Sequence, residues 1–221
     1  MTFGVERAQG WTVHASHTAD LHRAPVVIPD VHGRSTLLAC AIRAFPGRRF
    51  VLLGDYFDRG PDSPGVLRVL RALHARGRAI CLMGNHDQMA LEAVLRGDRA
   101  MMRTWIANGG RQTIAQFGTR NLERALLWMD QNLRHWHIES GLLFAHAARP
   151  SSYDFPVNTD HLWHRPGEHP LHPLPPGCRL SLHGHTPQEQ VKLERDALYL
   201  DLGMSRLVAL DLETRRLTIF R

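Results

Sequence analysis

The segment LLGDYFDRGPDS, Leu52 to Ser63, ends an apolar run and then sets three aspartates, an arginine and two glycines where a strand would turn. Asp and Gly are ordinary turn formers, because Asp accepts hydrogen bonds from nearby backbone and Gly tolerates positive φ. The segment becomes decisive because its pattern recurs: an apolar run, a polar cluster, then a helix. Upstream, VVIP (Val26–Pro29) is a short β-branched run, and STLLACAIRAF places Leu37, Leu38, Ala41, Ile42 and Phe45 at helical spacing. RFVLLG enters the quoted turn, and PGVLRVLRALHARG leaves it with Pro64 near the first helical turn and Gly77 at the end. RAICLMG then leads into NHDQMALEAVLRG. Three successive strand-and-helix units predict parallel strands joined by right-handed crossovers.

The flanking sequence extends this frame. Residues 1–24, through HASHTADLHRAP with its three histidines, read as an irregular N-terminal arm, and 25–221 as one domain. At 221 residues and 43% apolar composition, the chain is sized for one core. Residues 98–135 read as a helical insertion, with Trp105, Gly109, Gly110 and Trp128 as landmarks. GLLFAHAARP is a further strand, and the Pro-rich HRPGEHPLHPLPPG is irregular. RLSLHGHT, ALYLDL, SRLVALDL and RRLTIFR read as closing strands, antiparallel at the end because their connections are short. The fold expected is α/β, with a mixed sheet or two packed sheets.

Composition narrows the class. Twenty-seven Lys and Arg against twenty-one Asp and Glu give a net charge of +6, which suits an anionic substrate as well as it suits plain solubility. Cys40, Cys81 and Cys178 are odd in number, far apart and set in apolar sequence, which argues against a disulfide framework or zinc cluster and suits a reducing cytoplasm. No apolar run approaches membrane-span length and no signal core opens the chain, so a soluble protein without a membrane partner is expected. An aromatic run or basic helix of the kind that binds nucleic acid is also missing.

Polar groups collect where the apolar runs end. IPDVHG, LLGDYFDRG, LMGNHD, LFAHAA and SLHGHT deliver Asp30, His32, Asp55, Asp58, Asn85, His86, Asp87, His146 and His185. In α/β folds, ligands bind beyond the carboxyl ends of the strands. Each piece alone is an ordinary cap or turn; five at strand ends point to one site. Unneutralised, such a cluster repels itself, and mixed oxygen and nitrogen donors suit Mn, Fe, Zn or Co as the counter-charge. The donors exceed what one ion uses, so two ions are expected, with Asp55 bridging them, Asp58 behind and Arg59 forking two phosphate oxygens. Gly60 would let that turn close inward. His183, two residues before His185, is expected near the site, whereas His74, His135, His137, His161, His164, His169 and His172 match no role.

DVHG, GDYFDRG, GNHD, the histidine of AHAARP, and HGHT, in this order from Asp30 to about Leu210, resemble the calcineurin-like metallophosphoesterases. They are most similar to the bacterial and phage branch of the phosphoprotein phosphatases. The resemblance implies a metallophosphoesterase-type mixed β-sandwich flanked by helices, in α-β-β-α layers. It also implies two metal ions, Mn foremost with Fe, Zn, Co or Ni as alternatives. Asp30 and His32 would hold the first, Asp55 would bridge, and Asn85, His146 and His185 would complete the second. His86 would be the general acid, held in its tautomer by Asp58, and Arg59 would bind the phosphoryl group. Arg165 in LWHRPGE stands where this branch carries a second phosphate arginine.

The implied reaction is hydrolysis of a phosphomonoester by direct attack of a metal-bound hydroxide, with a falling alkaline limb because His86 must be protonated. Phosphorylated Ser/Thr proteins or small phosphoesters would be the substrates. Diadenosine tetraphosphate hydrolysis is the alternative, although those relatives often lack the intact DRG. A phosphate-binding module without activity is opposed by the presence of Asp58, Arg59 and His86. Two departures from the family pattern stand out: Pro29 where Gly is usual, and Asp87 where Glu is more common.

Overall fold

A computed structural model describes residues 4–7 and 24–221. Three short strands carry the recurring pattern: β2 (Val26–Ile28), β3 (Phe50–Leu52) and β4 (Ala79–Cys81). They are parallel, with Val27 beside Val51 and Val51 beside Ile80. Helices α1 (Ser35–Ala44), α2 (Ser63–His74) and α3 (Asn85–Val94) follow them in turn. Asp62 caps α2 by accepting from the Gly65 amide at 2.8 Å. The N-terminal arm departs from expectation, because Gly4–Arg7 forms strand β1 parallel to β11 (Arg216–Phe220). The open edge of β11 supplies the ladder that the apolar pattern of the arm did not advertise. The rest of the arm, including its three histidines, lies outside the described residues.

The first sheet runs β1-β11-β10-β2-β3-β4, with β10 at Leu207–Asp211. The second runs β5-β6-β7-β9-β8, built from β5 (Trp136–Glu139), β6 (Leu142–Ala145), β7 (Leu180–His183), β8 (Lys192–Glu194) and β9 (Ala197–Tyr199). The antiparallel close expected of the last strands holds for β10 with β11, whereas β7 and β9 are parallel because β8 intervenes and pairs antiparallel with β9. Two strands carried no clear signal. β5 includes His137 and Glu139 with part-exposed side chains, and all three residues of β8 are exposed at the sheet edge.

Strand periodicity explains the layers. Alternate residues point to opposite faces, so Val26, Ile28, Phe50 and Leu52 join the helices while Val27 and Val51 join Phe144, Leu182 and Leu198 of the second sheet. Burial on both faces is what a β-branched run without polar alternation implies. Residues 99–132 are helical: α4 (Arg99–Trp105), a π-helical turn (Ile106–Gly110), α5 (Arg111–Phe117) and α6 (Thr119–Asn132). Trp105, Phe117, Leu126 and Met129 join the same core as α1 to α3. The architecture is therefore two mixed sheets flanked by helices.

An ion pair links the first sheet to the edge strand of the second. Arg49, just before β3, donates to both carboxylate oxygens of Glu139 in β5, one of them at 2.7 Å, and His137 Nε2 lies 3.0 Å from the same group. The Arg49 hydrogen bonds, reinforced by His137, hold the Glu139 carboxyl down at about 2. A depressed carboxyl pKa contributes stability above the unfolded value, and that contribution is lost as pH falls toward the folded one. Because the pair is partly solvated, Glu139→Gln should cost about 1 kcal/mol at pH 7. The difference should shrink between the ordinary value of 4.5 and about 2, as read by urea unfolding of both proteins. A cost independent of pH would remove the ion pair as its cause.

Candidate active site

Loops leaving β2, β3, β4, β6 and β7 converge at one end of the two sheets. The amides of Val31 and His32 donate to Asp55 O at 3.1 and 2.7 Å, and the Gly33 amide to Tyr56 O at 2.8 Å, locking the first two turns together. A Cβ at Gly60 would lie 1.9 Å from His32 O, so the DRG turn closes against the DVHG turn only with glycine there. A Cβ at Gly184 would lie 2.2 Å from Asp30 Oδ1, the oxygen that accepts from the His185 amide at 2.8 Å. Eight non-glycine residues among those described have positive φ, and five of them are His32, Asp55, Asp58, Arg59 and His185. Strained backbone is concentrated where the candidate side chains are.

Asp55 lies at the centre. Its Oδ2 is 3.5 Å from His32 Nε2, and its Oδ1 is 3.4 Å from His146 Nε2 and 3.0 Å from the His86 amide at the start of α3. Asp30 Oδ2 is 3.8 Å from His32 Nε2. On the other side, Asn85 Oδ1 is 3.1 Å from His146 Nε2 and 3.0 Å from His185 Nδ1. Two groups of three donors, His32 with Asp55 and His86, and Asp55 with His146 and His185, each have ligand atoms within 4.8 Å of one another.

The imidazoles are oriented for this. His32 Nδ1 faces Phe57 O at 3.0 Å, His146 Nδ1 faces Leu53 O at 2.9 Å, and His185 Nε2 faces Trp163 O at 3.1 Å. A carbonyl only accepts, so each of these ring nitrogens carries the proton and the other presents its lone pair to the cluster. Burial, then Asp201, drives the Asp30 carboxyl well above the usual range; burial, then Asp30 and Asp87, does the same to Asp55. Burial likewise lowers His32 and His146 well below the ordinary value and His185 to about 4. Carboxylates that repel one another beside neutral imidazoles form a donor set that fits divalent cations.

The remaining candidates fall around this centre. His86 Nδ1 is 2.7 Å from Asp58 Oδ2, and burial lowers the imidazole pKa despite that partner. Arg59 is exposed and donates to His32 Nε2 at 3.2 Å. Arg165 is exposed on the same rim, close enough to His185 to lower its pKa. It follows Trp163, whose indole donates to Gln88 of α3 at 2.7 Å. Asp87 serves the backbone: its carboxylate accepts from the amides of Asp55, Tyr56 and Gly84 at 2.8, 3.0 and 2.9 Å, and burial raises it to about 7. The shorter arm thus ties the Asp55 turn to the α3 N-terminus. Pro29 falls just past the last paired residue of β2, where no ladder N–H is required.

His183 does not join the cluster. It is buried on β7, its Nε2 2.8 Å from Ser181 Oγ and its ring stacked on Tyr199, and burial lowers it to about 3. Residues i and i+2 of a strand share a face, and this face meets Arg149, which donates to Ser181 Oγ at 2.9 Å. Four contributors escaped the sequence reading. Asp201 is 3% exposed beside Asp30, and Arg34 donates to Asp30 O at 2.5 Å and to the carbonyls of Gly203, Met204 and Arg206 at 2.8 to 2.9 Å. Trp105 Nε1 donates to Asp58 Oδ2 at 2.8 Å, and the Thr113 hydroxyl to Asp58 Oδ1 at 2.5 Å. Only Trp105 had stood out, as an aromatic landmark in a helical stretch.

Known proteins share both segments of sequence and the fold with this chain. Serine/threonine-protein phosphatase 2 of Escherichia coli (strain K12) is 39% identical over 88 residues, 38% of this chain and 37% of that protein. Bis(5'-nucleosyl)-tetraphosphatase, symmetrical, of Ralstonia nicotianae is 35% identical over 130 residues, 56% of this chain and 41% of that protein. The matched segments thus span about two fifths of each relative's length. A crystal structure of a candidate diadenosine tetraphosphatase superposes with a TM-score of 0.65 at 20% identity, covering 99% of this chain and 98% of that one, a likeness of fold. The family model for calcineurin-like phosphoesterases matches residues 17–201, well over half of the chain and nearly all of the geometry above. The chain belongs to the calcineurin-like phosphoesterase family.

Proposed function

We propose that the chain is a dinuclear metal-dependent phosphatase that hydrolyses phosphomonoesters, with phosphorylated Ser/Thr side chains as its substrate class. The observation that carries this reading is the division of the Asp55 carboxylate, one oxygen toward His32 and the other toward His146. Asp30, His32 and Asp55 would hold one ion; Asp55, Asn85, His146 and His185 would hold the other. Manganese is the expected metal, with Fe, Zn, Co and Ni as alternatives. When bound, the ions would neutralise phosphoryl oxygens and bring the pKa of a water toward neutrality.

The chain's own residues do the rest. Arg59 and Arg165, both exposed on the rim, bind and orient the phosphoryl group through paired N–H donors. His86 donates its Nδ1–H to Asp58 Oδ2, 2.7 Å away, so the imidazolium form delivers its Nε2 proton to the leaving oxygen and is left as the neutral Nδ1–H ring. The intact DRG and the likeness to the Escherichia coli phosphatase favour phosphoproteins. Hydrolysis of diadenosine tetraphosphate is the second reading, favoured by the longer match to the Ralstonia enzyme. Cys40, Cys81 and Cys178 are free thiols, which supports a reducing cytoplasm as the setting. Among the described residues no helix is long and apolar enough to cross a membrane.

Chelator-treated protein titrated with Mn in a calorimeter should bind two equivalents and gain thermal stability, since a ligand that binds only the native state stabilises it. Asp55→Asn should weaken both equivalents together; loss of one with the other intact would break the shared-carboxylate assignment. With Mn present, phosphoserine and phosphothreonine peptides should be hydrolysed with higher kcat/KM than diadenosine tetraphosphate, and the reverse order would move the assignment to the second reading. His86→Asn should lower kcat on an ester with a poor leaving group by about 10²- to 10⁴-fold. Full activity in that variant would exclude His86 as the acid.

A further inference from the structure

Asp58 is fully buried, and its carboxylate is gripped from two directions. His86 Nδ1 reaches Oδ2 at 2.7 Å from the α3 side. From the helical segment come Trp105 Nε1 to Oδ2 at 2.8 Å and the Thr113 hydroxyl to Oδ1 at 2.5 Å. The Asp58 amide donates back to Thr113 Oγ1 at 3.0 Å, which closes a small ring. Trp105 and Thr113 are themselves wholly buried, so none of these bonds competes with water.

Two residues eight apart on a straight α-helix would be separated by about 12 Å along its axis. They meet on one carboxylate because the π-helical turn between them breaks at Gly109, whose φ is 114°. A Cβ there would press on the Arg59 amide and Asp58 Cβ at 3.2 Å, and one at Gly110 would lie 2.5 Å from the Trp105 ring. Gln116, one helical turn beyond Thr113, extends the clasp: it donates to Gly60 O at 2.9 Å and accepts from the Ser63 amide at 2.8 Å. The kinked segment is shaped around the DRG turn.

We infer that Trp105 and Thr113 are positioning residues for proton delivery. Together they fix the plane of the Asp58 carboxylate, and through it the ring orientation and tautomer of His86. The helical segment thereby contributes to the chemistry as well as to the core. This inference rests on the reading of His86 as the acid and adds what holds it. A purely structural role predicts loss of stability and an equal loss of rate on every ester. A positioning role predicts a loss that grows as the leaving group comes to need a proton.

The test uses the full chain with Mn and two substrates: phenyl phosphate, whose leaving group needs a proton, and 2,4-dinitrophenyl phosphate, whose leaving group does not. Trp105→Phe and Thr113→Val should each lower kcat on phenyl phosphate about tenfold or more, with KM and the dinitrophenyl rate nearly unchanged. Thr113→Ser, which keeps the hydroxyl, should restore the wild-type pattern. In metal-free protein, ¹⁵N spectra of the His86 ring should show the Nδ1–H tautomer in the wild type and a mixture in Trp105→Phe. Equal losses on both esters, or an unchanged ring tautomer, would overturn the inference, and the ring spectrum decides it if Thr113→Val does not fold. His86→Asn is run alongside: if it too loses equally on both esters, the acid assignment is what fails.

Discussion

The arrangement depends on one buried carboxylate that faces imidazole lone pairs on two sides at once. Asp55 sits at positive φ after β3, with one oxygen turned to His32 and the other to His146 and the α3 amide. A carboxylate taken out of water is costly unless positive charge or hydrogen bonds compensate. Here Asp30 and Asp87 add to the repulsion, and the nearest imidazoles are neutral. The fold therefore holds a group of high electrostatic energy in place by backbone hydrogen bonds from the neighbouring turns. Divalent cations would resolve that conflict, and the same conflict would give the site its affinity for them.

The two sheets divide the work of building the site. Asp30, His32, Asp55 and Asn85 follow strands of the first sheet, whereas His146 and His185 follow β6 and β7 of the second. Packing of Val27 and Val51 against Phe144, Leu182 and Leu198 sets the spacing between the two halves. A core substitution at that seam would change distances among the candidate ligands without touching any of them.

Much of this was legible in the chain because the catalytic pattern is local. Each of the five segments is a short apolar run followed at once by its polar residue, so Asp30, Asp55, Asn85, His146 and His185 could be assigned to strand ends and hence to one rim. The three parallel strands followed from the same repetition. What stayed hidden depended on contacts between distant segments. Asp201 ends an apolar run that looked like any closing strand, and only the fold brings it beside Asp30. Thr113 is an unremarked hydroxyl in a helical stretch until the Gly109 kink turns it onto Asp58. β5 and β8 lacked the apolar alternation that marks a strand, since they lie at sheet edges with half-buried and exposed side chains respectively. His183 ends β7 two residues before His185, and its ring turns to Ser181 and Tyr199 while His185 lies past the strand, where strand geometry no longer governs direction.

The link from Gln88 through Trp163 to His185 ties two tasks to one loop. Trp163 anchors its indole on α3, offers its carbonyl to the ring of His185, and is followed two residues later by Arg165. If His185 holds an ion and Arg165 meets the phosphoryl group, as proposed, a shift of that loop would loosen the one and withdraw the other in the same movement. On that proposal, engagement of the phosphoryl group and retention of the ion beside it would be mechanically geared, and an empty rim would also be the state from which a cation escapes most readily.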